Sequence, residues 1–197
     1  MYSWLEGDNA TPDRLADARQ AGLDLAAFVA ALQGIDPTAA PGPGEHNFFR
    51  GEAIVRRDAA VRASIETLRD KLDVAAVGAI WEAALGAPEW DRPGVWVHGD
   101  LDARNLLAHE GRLSAVIDWG SLGVGDPACD VMAAWKVLPA AGREAFRAAL
   151  SVDEATWLRA RGWALSQALG ALSYYTLETS EVLVREARRW LAEVVAA

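Results

Sequence analysis

The chain has 197 residues, 52% of them hydrophobic and 24% charged, which is the composition of one globular domain with a sizeable core. Its net charge of −9 argues against nucleic acid or an anionic membrane as partner, and no apolar run approaches the roughly 18 residues that a bilayer span needs. One cysteine, Cys129, excludes an internal disulfide and, with an N-terminus that lacks a secretory signal, predicts a cytoplasmic protein.

The first part of the chain has the pattern of a helix that ends at a loop. Thr11 followed by Pro12 is typical of a helix cap with proline in the first turn. Apolar residues recur at helical spacing from Leu15 to Leu32, so we expect the helix to run through this segment. A cluster of proline and glycine over residues 36–44 then ends it.

Two further helices are predicted after this loop. The segment HNFFRG, residues 46–51, contains two phenylalanines that need cover, and we interpret them as anchors that tie the loop to the core. Asp58 is predicted to cap a helix that extends to Leu72, and Asp73 to cap one that extends to Leu85. Both segments are amphipathic at helical spacing.

The middle of the chain predicts a strand, a loop and a β-hairpin. Residues 95–97, VWV, read as a short buried strand. Residues 106–108 and 113–117 are apolar and partly β-branched, and they flank a turn at 109–112 that contains a glycine. This arrangement is typical of a hairpin, which returns its two ends to the same place.

Three polar residues fall at the open end of this hairpin. Asn105 and Asp118 lie almost symmetrically about its turn, and Asp100 precedes Asn105 by five residues. Carboxylate and amide oxygens are hard ligands that suit Mg²⁺ bridging phosphate oxygens, and a further carboxylate can accept a hydroxyl proton. A plain turn cap explains either Asp alone, whereas the ordered set within about 35 residues favours phosphoryl transfer.

The rest of the chain is predicted to be helical. Asp126 and Pro127 have the pattern of a cap and first residue of a helix that reaches Leu138. Two long helical patterns then close the chain, with an acidic turn between them. They run from about Glu154 to Tyr175 and from about Glu181 to Val194.

The segment HGDLDARN, followed by IDWG and GDPACD, resembles the aminoglycoside phosphotransferase family, whose members are related to protein kinases. The resemblance implies an α+β, mostly α-helical fold: the C-terminal lobe of the protein-kinase-like fold, with a small β-hairpin carrying the catalytic and metal-binding loops. It further implies that Asp100 is the catalytic base, that Asn105 and Asp118 hold Mg²⁺, and that ATP or GTP is the phosphate donor.

The same resemblance gives supporting roles to three other residues. It implies that the Asp130 carboxylate reaches back to bond the backbone of the catalytic loop, while a solvent-facing Asp130 is the plain alternative. Asp126 is then mainly a helix cap, and His98 packs and hydrogen-bonds beneath the loop instead of acting as a base.

The resemblance covers part of the family's architecture. YSWLEG resembles the hinge between the two lobes, so Ser3, Trp4 and Leu5 are candidates for nucleotide contacts. We therefore expect one domain, with a hinge-like segment at 1–10 and the catalytic lobe at 11–197.

An N-terminal nucleotide-binding lobe has no counterpart in the sequence. The two lysines, Lys71 and Lys136, both lie in helical patterns, and no glycine-rich strand–turn–strand precedes the catalytic loop. Because positioning of the phosphates supplies most of the catalysis, we expect residues 1–197 alone to have negligible kinase activity. A fragment, a mis-assigned start site and a truncated gene all fit the sequence.

The acceptor is expected to be a small molecule with a hydroxyl group. Asn47 and Arg50 are candidate substrate contacts, as are three carboxylates that could pair with ammonium groups. These are Asp153, Glu178 and Glu181. Loop anchoring, and helix-start carboxylates that complement the macrodipole, are the plain alternatives. The negative charge fits a cationic substrate and simple solubility equally well.

No residue selects one acceptor, and the sequence does not indicate an oligomeric state. Aminoglycosides, with antibiotic resistance as the consequence, are one option in a family that resembles kinases for macrolides, choline, homoserine and sugars. A metallophosphoesterase is disfavoured because its dinuclear site draws on several histidines and the chain has three. The other alternative is a non-catalytic truncated lobe that acts as a small-molecule binding or interaction module.

Overall fold

The computed structural model describes residues 5–197. Its first long helix, α1, spans Ala18–Gln33 and begins later than the sequence predicts. The side chain of Thr11 makes no capping hydrogen bond, and residues 12–14 form only a 3₁₀ turn. The Asp17 carboxylate accepts a hydrogen bond of 3.0 Å from the backbone of Gln20, so Asp17 is the cap that starts the helix.

The next two helices are α2, Asp58–Leu68, and α3, Val74–Gly86. Asp73 caps α3 as predicted, since its carboxylate accepts a 3.0 Å hydrogen bond from Ala76. The predicted cap at Asp58 is wrong. Asp58 is already inside the helix, and its carboxylate accepts a 2.7 Å hydrogen bond from the Trp81 indole of α3. The acidic side chain thus ties two helices together.

The loop before α2 is held by a polar residue and not by its phenylalanines. Phe48 and Phe49 are exposed, and both have left-handed backbone conformations with φ of 55° and 57°. Asn47 is fully buried, accepts a 3.0 Å hydrogen bond from Gly44 and donates one of 3.1 Å to the Arg50 carbonyl. The amide of Asn47 therefore closes the loop on itself, which corrects the prediction of aromatic anchors.

Five short strands form two small antiparallel sheets. They are β1 (Asp8–Asn9), β2 (Val95–Val97), β3 (Leu106–His109), β4 (Arg112–Val116) and β5 (Gly123–Gly125). One sheet has the order β1-β3-β4 and the other pairs β2 with β5. The predicted hairpin is confirmed as β3 and β4, and its turn residues Glu110 and Gly111 both have positive φ, as a tight hairpin turn requires.

Five helices complete the fold. They are α4 (Ala128–Val131), α5 (Ala133–Lys136), α6 (Ala140–Ala149), α7 (Glu154–Tyr174) and α8 (Leu177–Ala196). The last helix has an extra turn before its predicted start near Glu181, and Thr176 caps this turn. A kink at Ser180, with φ −162° and ψ 79°, separates this turn from the regular helix, which begins at Glu181 as predicted.

Helix α7 lies at the centre of the helical layer and packs against α2, α3, α4 and α8. Four of the nine tryptophans are among the largest fully buried side chains, so they form core and not a stacking surface. They are Trp81, Trp135, Trp163 and Trp190. The predicted mostly helical α+β class is confirmed. None of the helices in residues 5–197 has the length and apolar character that crossing a membrane requires.

Candidate active site

The loop between β2 and β3, residues 98–105, is the centre of the candidate site, and we call it the catalytic loop. Gly99 has φ of +84°, and a Cβ there would lie 2.5 Å from the Ser121 carbonyl oxygen, so only glycine fits. The fully buried Asp130 of α4 accepts hydrogen bonds of 2.7 Å from the backbone of His98 and 2.8 Å from that of Gly99. This is the contact that the sequence resemblance implies.

Two effects act on the charge of Asp130 in opposite directions. Burial raises the pKa of the Asp130 carboxyl, whereas the hydrogen bonds from Gly99 and His98 act to lower it, and burial is the larger effect. The carboxyl therefore depends on these two backbone donors for its stabilisation in the core.

His98 is buried, and both of its ring nitrogens contact backbone groups. Its Nε2 lies 3.0 Å from the Ile117 carbonyl oxygen, and its Nδ1 accepts a 3.3 Å hydrogen bond from the backbone of Asp100. With Nδ1 as acceptor, Nε2 carries the proton and donates to Ile117. The imidazole thus connects the catalytic loop to the end of β4 and has no free nitrogen for proton transfer.

The Asp100 carboxylate faces open space while three side chains hold it. It is 27% exposed, and Asn105 donates hydrogen bonds to its carbonyl oxygen at 2.9 Å and to its Oδ2 at 3.2 Å. Lys136 Nζ lies 3.4 Å from Oδ1, and an Arg50 nitrogen lies 3.9 Å from the same oxygen. An accessible carboxylate fixed on both oxygens is suited to receive a proton from a bound hydroxyl.

Lys136 is a site residue that the sequence analysis missed. Its side chain is fully buried at the end of α5, donates a 2.7 Å hydrogen bond to Gln167 Oε1, and lies 4.5 Å from the ring centre of Trp190. Its Nζ is also 3.4 Å from Asp102 Oδ2. The available signal was its spacing, since Lys136 follows the buried Met132 by one helical turn.

Asp102 is a second carboxylate of the catalytic loop, and no sequence motif indicates its role. It is fully buried and accepts hydrogen bonds from Arg104 of 3.2 Å at Oδ1 and 2.6 Å at Oδ2. Burial acts to raise the pKa of Asp102, but the charge of Lys136 and the hydrogen bonds from Arg104 outweigh it, so the pKa lies below its ordinary value. Asp102 therefore stays ionised between two cations.

Asn105 and Asp118 lie on neighbouring strand ends. The backbone of Ile117 donates a 2.9 Å hydrogen bond to the Asn105 carbonyl, so Asp118 follows directly after the residue paired with Asn105. Asn105 is buried, while Asp118 is exposed, with φ of +61°, and its Oδ1 accepts a 3.4 Å hydrogen bond from Gly120. The hairpin brings the two residues together as its symmetry predicts.

The donor atoms of this pair fit a hard divalent cation. The Asn105 amide nitrogen is engaged with Asp100, and within residues 5–197 its Oδ1 has no hydrogen-bond donor. One Asp118 oxygen is similarly without a donor in that range. No three His, Cys, Asp or Glu side chains of the described chain converge as a metal cluster. The protein would therefore supply two oxygens, which suits Mg²⁺ because this ion retains waters and phosphate oxygens as ligands.

Asp126 does more than the sequence indicates. Its Oδ1 accepts a 2.9 Å hydrogen bond from the backbone of Ala128, which is the expected cap. The same carboxylate forms a two-bond ion pair with Arg159 of α7, at 2.7 Å and 3.1 Å. Both side chains are almost completely buried, so this pair fixes α4 against α7 beneath the catalytic loop.

The hinge candidates are only partly described. Ser3 and Trp4 lie outside the described residues, and Leu5 is about half exposed. Asn47 is buried in its own loop, so of the two candidates there only Arg50 is accessible at the site.

The three carboxylates expected to bind ammonium groups lie elsewhere. Asp153 caps α7 and lies 3.5 Å from Arg92, Glu181 pairs with Arg185 at 2.6 Å, and Glu178 borders a different depression. Their places at helix starts explain them without a ligand.

A cavity of about 460 Å³ opens beside Asp100, and we call it the Asp100 cavity. Its walls come from the catalytic loop, the loop before α2, and helices α7 and α8. Lining side chains include Arg50, Arg57, Arg104, Gln167, Tyr174 and Trp190. None of the three helix-start carboxylates lines it.

A sequence-family model of the phosphotransferase enzyme family matches residues 1–163, most of the chain. The chain belongs to this family. The aligned region includes the catalytic loop, the hairpin and Asp130, so the family assignment agrees with the motifs on which the resemblance rests. No curated protein matches this phosphotransferase significantly.

Solved structures with the same fold include proteins described as macrolide or aminoglycoside phosphotransferases. The macrolide 2'-phosphotransferase MphH from Brachybacterium faecium is 23% identical, with TM-score 0.59, over 98% of this chain and 68% of that one. A putative aminoglycoside phosphotransferase from Ralstonia eutropha JMP134 is 16% identical, with TM-score 0.60, over 98% and 69%. The GDP and kanamycin complex of APH(2")-IIia is 21% identical, with TM-score 0.61, over 99% and 67%.

Proposed function

We propose that this phosphotransferase moves the γ-phosphate of ATP or GTP to a hydroxyl group of a small molecule, with Asp100 as the catalytic base. The accessible Asp100 carboxylate beside a ligand-sized cavity is the observation that carries the proposal. Four of the structural neighbours are described with ADP, ATP or GDP bound, which supports a nucleotide as donor.

In the proposed reaction, the acceptor hydroxyl binds in the Asp100 cavity and donates its proton to the Asp100 carboxylate. The hydroxyl oxygen forms a bond to the γ-phosphorus, and the bond from that phosphorus to the oxygen bridging it to the β-phosphorus breaks. The products are the phosphorylated acceptor, the nucleoside diphosphate and the proton on Asp100. Asn105 and Lys136 orient the carboxylate, since each contacts a different oxygen of it.

Asn105 and Asp118 are proposed to hold Mg²⁺ through the oxygens that lack protein donors. When bound, this ion would neutralise charge on the transferring phosphate. Two further residues support the positions of these groups. Asp130 and His98 hold the backbone of the catalytic loop, so that the carboxylate and the amide keep their relative positions.

We further propose that residues 11–197 are the C-terminal lobe of a two-lobed enzyme, with residues 1–10 as hinge, and that nucleotide positioning needs a second lobe. In support, the chain spans about two thirds of the length of its structural neighbours. Residues 1–197 tested alone should then show negligible turnover with radiolabelled ATP and a panel of hydroxyl compounds. Substantial turnover by this chain would overturn the lobe assignment and leave Asp100 as the base.

The metal and nucleotide site can be tested without turnover. Mn²⁺ replaces Mg²⁺ with ATP, and paramagnetic broadening of backbone amide signals is measured on the isotope-labelled chain. Residues 98–105 and 117–120 should broaden most, because they surround the two proposed ligands. The Asp118→Ala variant should lose this broadening, whereas Asp153→Ala, a change at a distant exposed carboxylate, should keep it.

Broadening confined to other segments, or equal broadening in Asp118→Ala, would contradict the proposed site. If a two-lobed form of the enzyme binds hydroxyl compounds but neither metal nor nucleotide, the chain is a binding module and the kinase proposal is wrong.

A further inference from the structure

The charge of the Asp100 cavity is opposite to that of the whole protein. The chain carries a net charge of −9, yet three arginines line this cavity. Among the described lining residues, Asp100 is the one carboxylate. The buried Lys136 lies directly behind Asp100, where its charge is paired with Asp100 and Asp102. A pocket built to pair with ammonium groups would have the opposite arrangement.

The three arginines differ in how their charge is balanced. Arg104 forms a close two-bond pair with Asp102, so its charge is compensated inside the protein. Arg57 has no carboxylate within 4.0 Å anywhere in residues 5–197, and its Nε donates to the Ser166 hydroxyl at 2.7 Å. Its guanidinium also stacks 4.7 Å from the ring centre of Trp163. Arg57 is therefore fixed in place without a directly paired carboxylate, and the charge of Glu52, which pairs with Arg56, is the carboxylate charge that acts on it from further away.

Arg50 is partly balanced by Asp100. Its nearest carboxylate oxygen is Asp100 Oδ1 at 3.9 Å, which is too long for a hydrogen bond, and its buried Nε has no partner in the described chain. Burial and the nearby charge of Arg50 both lower the pKa of Arg57. A guanidinium stays protonated in proteins, so two neighbouring positive charges persist at the cavity wall.

The neutral polar groups of the wall carry no negative charge that could balance the arginines. Gln167 Nε2 and Trp190 Nε1 are buried donors that lack an acceptor among the described residues, and both side chains line the cavity. Because these two atoms are closed to solvent, the donors that the wall offers to a ligand are chiefly those of its arginines. Such a wall is complementary to a ligand with several acceptor oxygens and a negative charge, since arginine pairs with carboxylate and phosphate through two parallel hydrogen bonds.

We infer that the acceptor substrate is an anionic hydroxyl compound, whose carboxylate or phosphate group binds Arg50 and Arg57 while its hydroxyl lies at Asp100. This inference rests on the proposed phosphotransfer at Asp100, and it specifies the substrate class of that same site. It disfavours the cationic acceptor that the protein's overall charge permits. Carboxylate and phosphate share the required chemistry.

A matched set of sugars tests the inference on the chain itself. Glucuronate, glucose 6-phosphate, glucose and glucosamine share a ring with hydroxyl groups and differ in charge. Binding is measured by calorimetry, and the arginine Nε signals are followed by NMR. The two anions should bind roughly tenfold to a hundredfold more tightly than glucose, as expected for a charge-assisted pair, and glucosamine more weakly than glucose. The relative affinities of the two anions distinguish carboxylate from phosphate.

Substitutions of single arginines show which side chain produces the preference for anionic sugars. Arg57→Met should abolish the preference for anions, while Arg57→Lys should retain part of it because the charge remains. Arg56→Met is the matched control, since Arg56 is the adjacent residue, is 69% exposed and pairs with Glu52 outside the cavity. Equal loss of the preference in Arg56→Met and Arg57→Met would overturn the inference, as would equal affinity for glucuronate, glucose and glucosamine in the unchanged chain.

A final experiment distinguishes binding of the acceptor substrate from binding of the donor nucleotide. Saturating ATP should leave glucuronate bound, because the two occupy different parts of the proposed site. Displacement of glucuronate by ATP would mean that the arginines bind donor phosphates, and the inference would be wrong. These measurements need no turnover and no metal. Anion binding that persists while the Mn²⁺ experiment fails would therefore contradict the phosphotransfer proposal and not the anion preference.

Discussion

The catalytic loop has an inner side and a cavity side, and the polar groups of the two sides are satisfied differently. On the inner side, Asp130 binds two backbone amides, His98 uses both ring nitrogens, and Asp126 pairs fully with Arg159. On the cavity side, Asp100 is accessible and Arg57 has no carboxylate partner in the described residues.

Arg57 and Arg159 make this difference concrete. Both guanidinium groups are mostly buried and both contact α7 or belong to it, but one has a carboxylate and the other has a hydroxyl. Since a buried charge is stabilised only by good partners, the complete inner network indicates a structural role. The incomplete cavity network indicates a surface whose missing partners come from a ligand.

The largest effect is expected from Asp100, whose removal should change activity and not folding. In a form of the enzyme that turns over, Asp100→Ala should lower kcat about 10³-fold, because the proton acceptor is lost. Its free energy of unfolding should stay within about 1 kcal/mol of the unchanged protein, since the side chain is accessible. Steady-state kinetics and urea unfolding measure the two quantities, and full activity in this variant would refute the assignment of the base.

On the inner side, Arg159→Met should have the opposite profile. It leaves the Asp126 carboxylate buried without its partner, so the free energy of unfolding should fall by about 3–5 kcal/mol. Adding Asp126→Asn should restore part of the loss, because the unpaired charge is then gone. A single variant as stable as the unchanged protein in urea unfolding would show that the inner pair is not structural.

Asp130→Ala should destabilise the protein by about 3 kcal/mol, because two buried backbone donors lose their acceptor. In a form that turns over, it should also lower activity, since the catalytic loop loses its support. Asp130→Asn keeps one acceptor oxygen, so its stability and activity are expected to lie between those of the unchanged protein and those of Asp130→Ala. Hydrogen exchange at His98 and Gly99 should accelerate in Asp130→Ala, and unchanged exchange there would argue against a direct role of the carboxylate.

The pH dependence of stability tests the role of Asp102, which lies between the inner side and the cavity side of the catalytic loop. The folded-state pKa of Asp102 lies below the ordinary value of 3.8, chiefly because Lys136 and Arg104 outweigh the effect of burial. Ionised Asp102 therefore contributes stability above about pH 3.8, and this contribution disappears as the pH falls through the folded-state pKa. The stability difference between the unchanged protein and Asp102→Asn should narrow over that range in urea unfolding. A constant difference would contradict the assignment.

The smallest effect on stability is expected at Arg57. Arg57→Met loses one hydrogen bond and the contact with Trp163, but it also removes a charge without a directly paired carboxylate, so the net change should be below about 1 kcal/mol. Together with Arg159→Met, this gives a direct contrast between two buried arginines. A loss at Arg57 as large as that at Arg159 in thermal or urea unfolding would remove the distinction between the two sides.

Features that depend on local sequence were predictable. The hairpin follows from alternating apolar segments about a glycine turn, and the pairing of Asn105 with Asp118 follows from its symmetry. Asp73 caps its helix through a contact three residues away. Predictions failed where two local signals competed, as at the start of α1, where Asp17 is a better cap than Thr11.

The cavity side was not predictable, because its contacts join distant parts of the chain. Arg57 and Ser166 are 109 positions apart, and Lys136 lies 36 positions from Asp100. The local pattern around Arg57 does not distinguish it from an ordinary surface cation, and the spacing of Lys136 from Met132 indicates burial but not which residues it contacts. The family resemblance provided the proposed base and the proposed metal ligands, whereas the partners that surround them emerged only from the packing of α5, α7 and α8.

Cys129 lies directly beneath the catalytic loop, with its sulfur 3.9 Å from the Gly99 carbonyl oxygen. Burial raises the pKa of its thiol to about 12, so in the closed structure it is both shielded and unreactive. As the chain has one cysteine, a thiol reagent added to the native protein can modify it only during moments when the loop lifts or the molecule unfolds. The labelling rate therefore measures how often the segment that bears Asp100 opens locally, and ligands that stabilise this segment should slow the labelling.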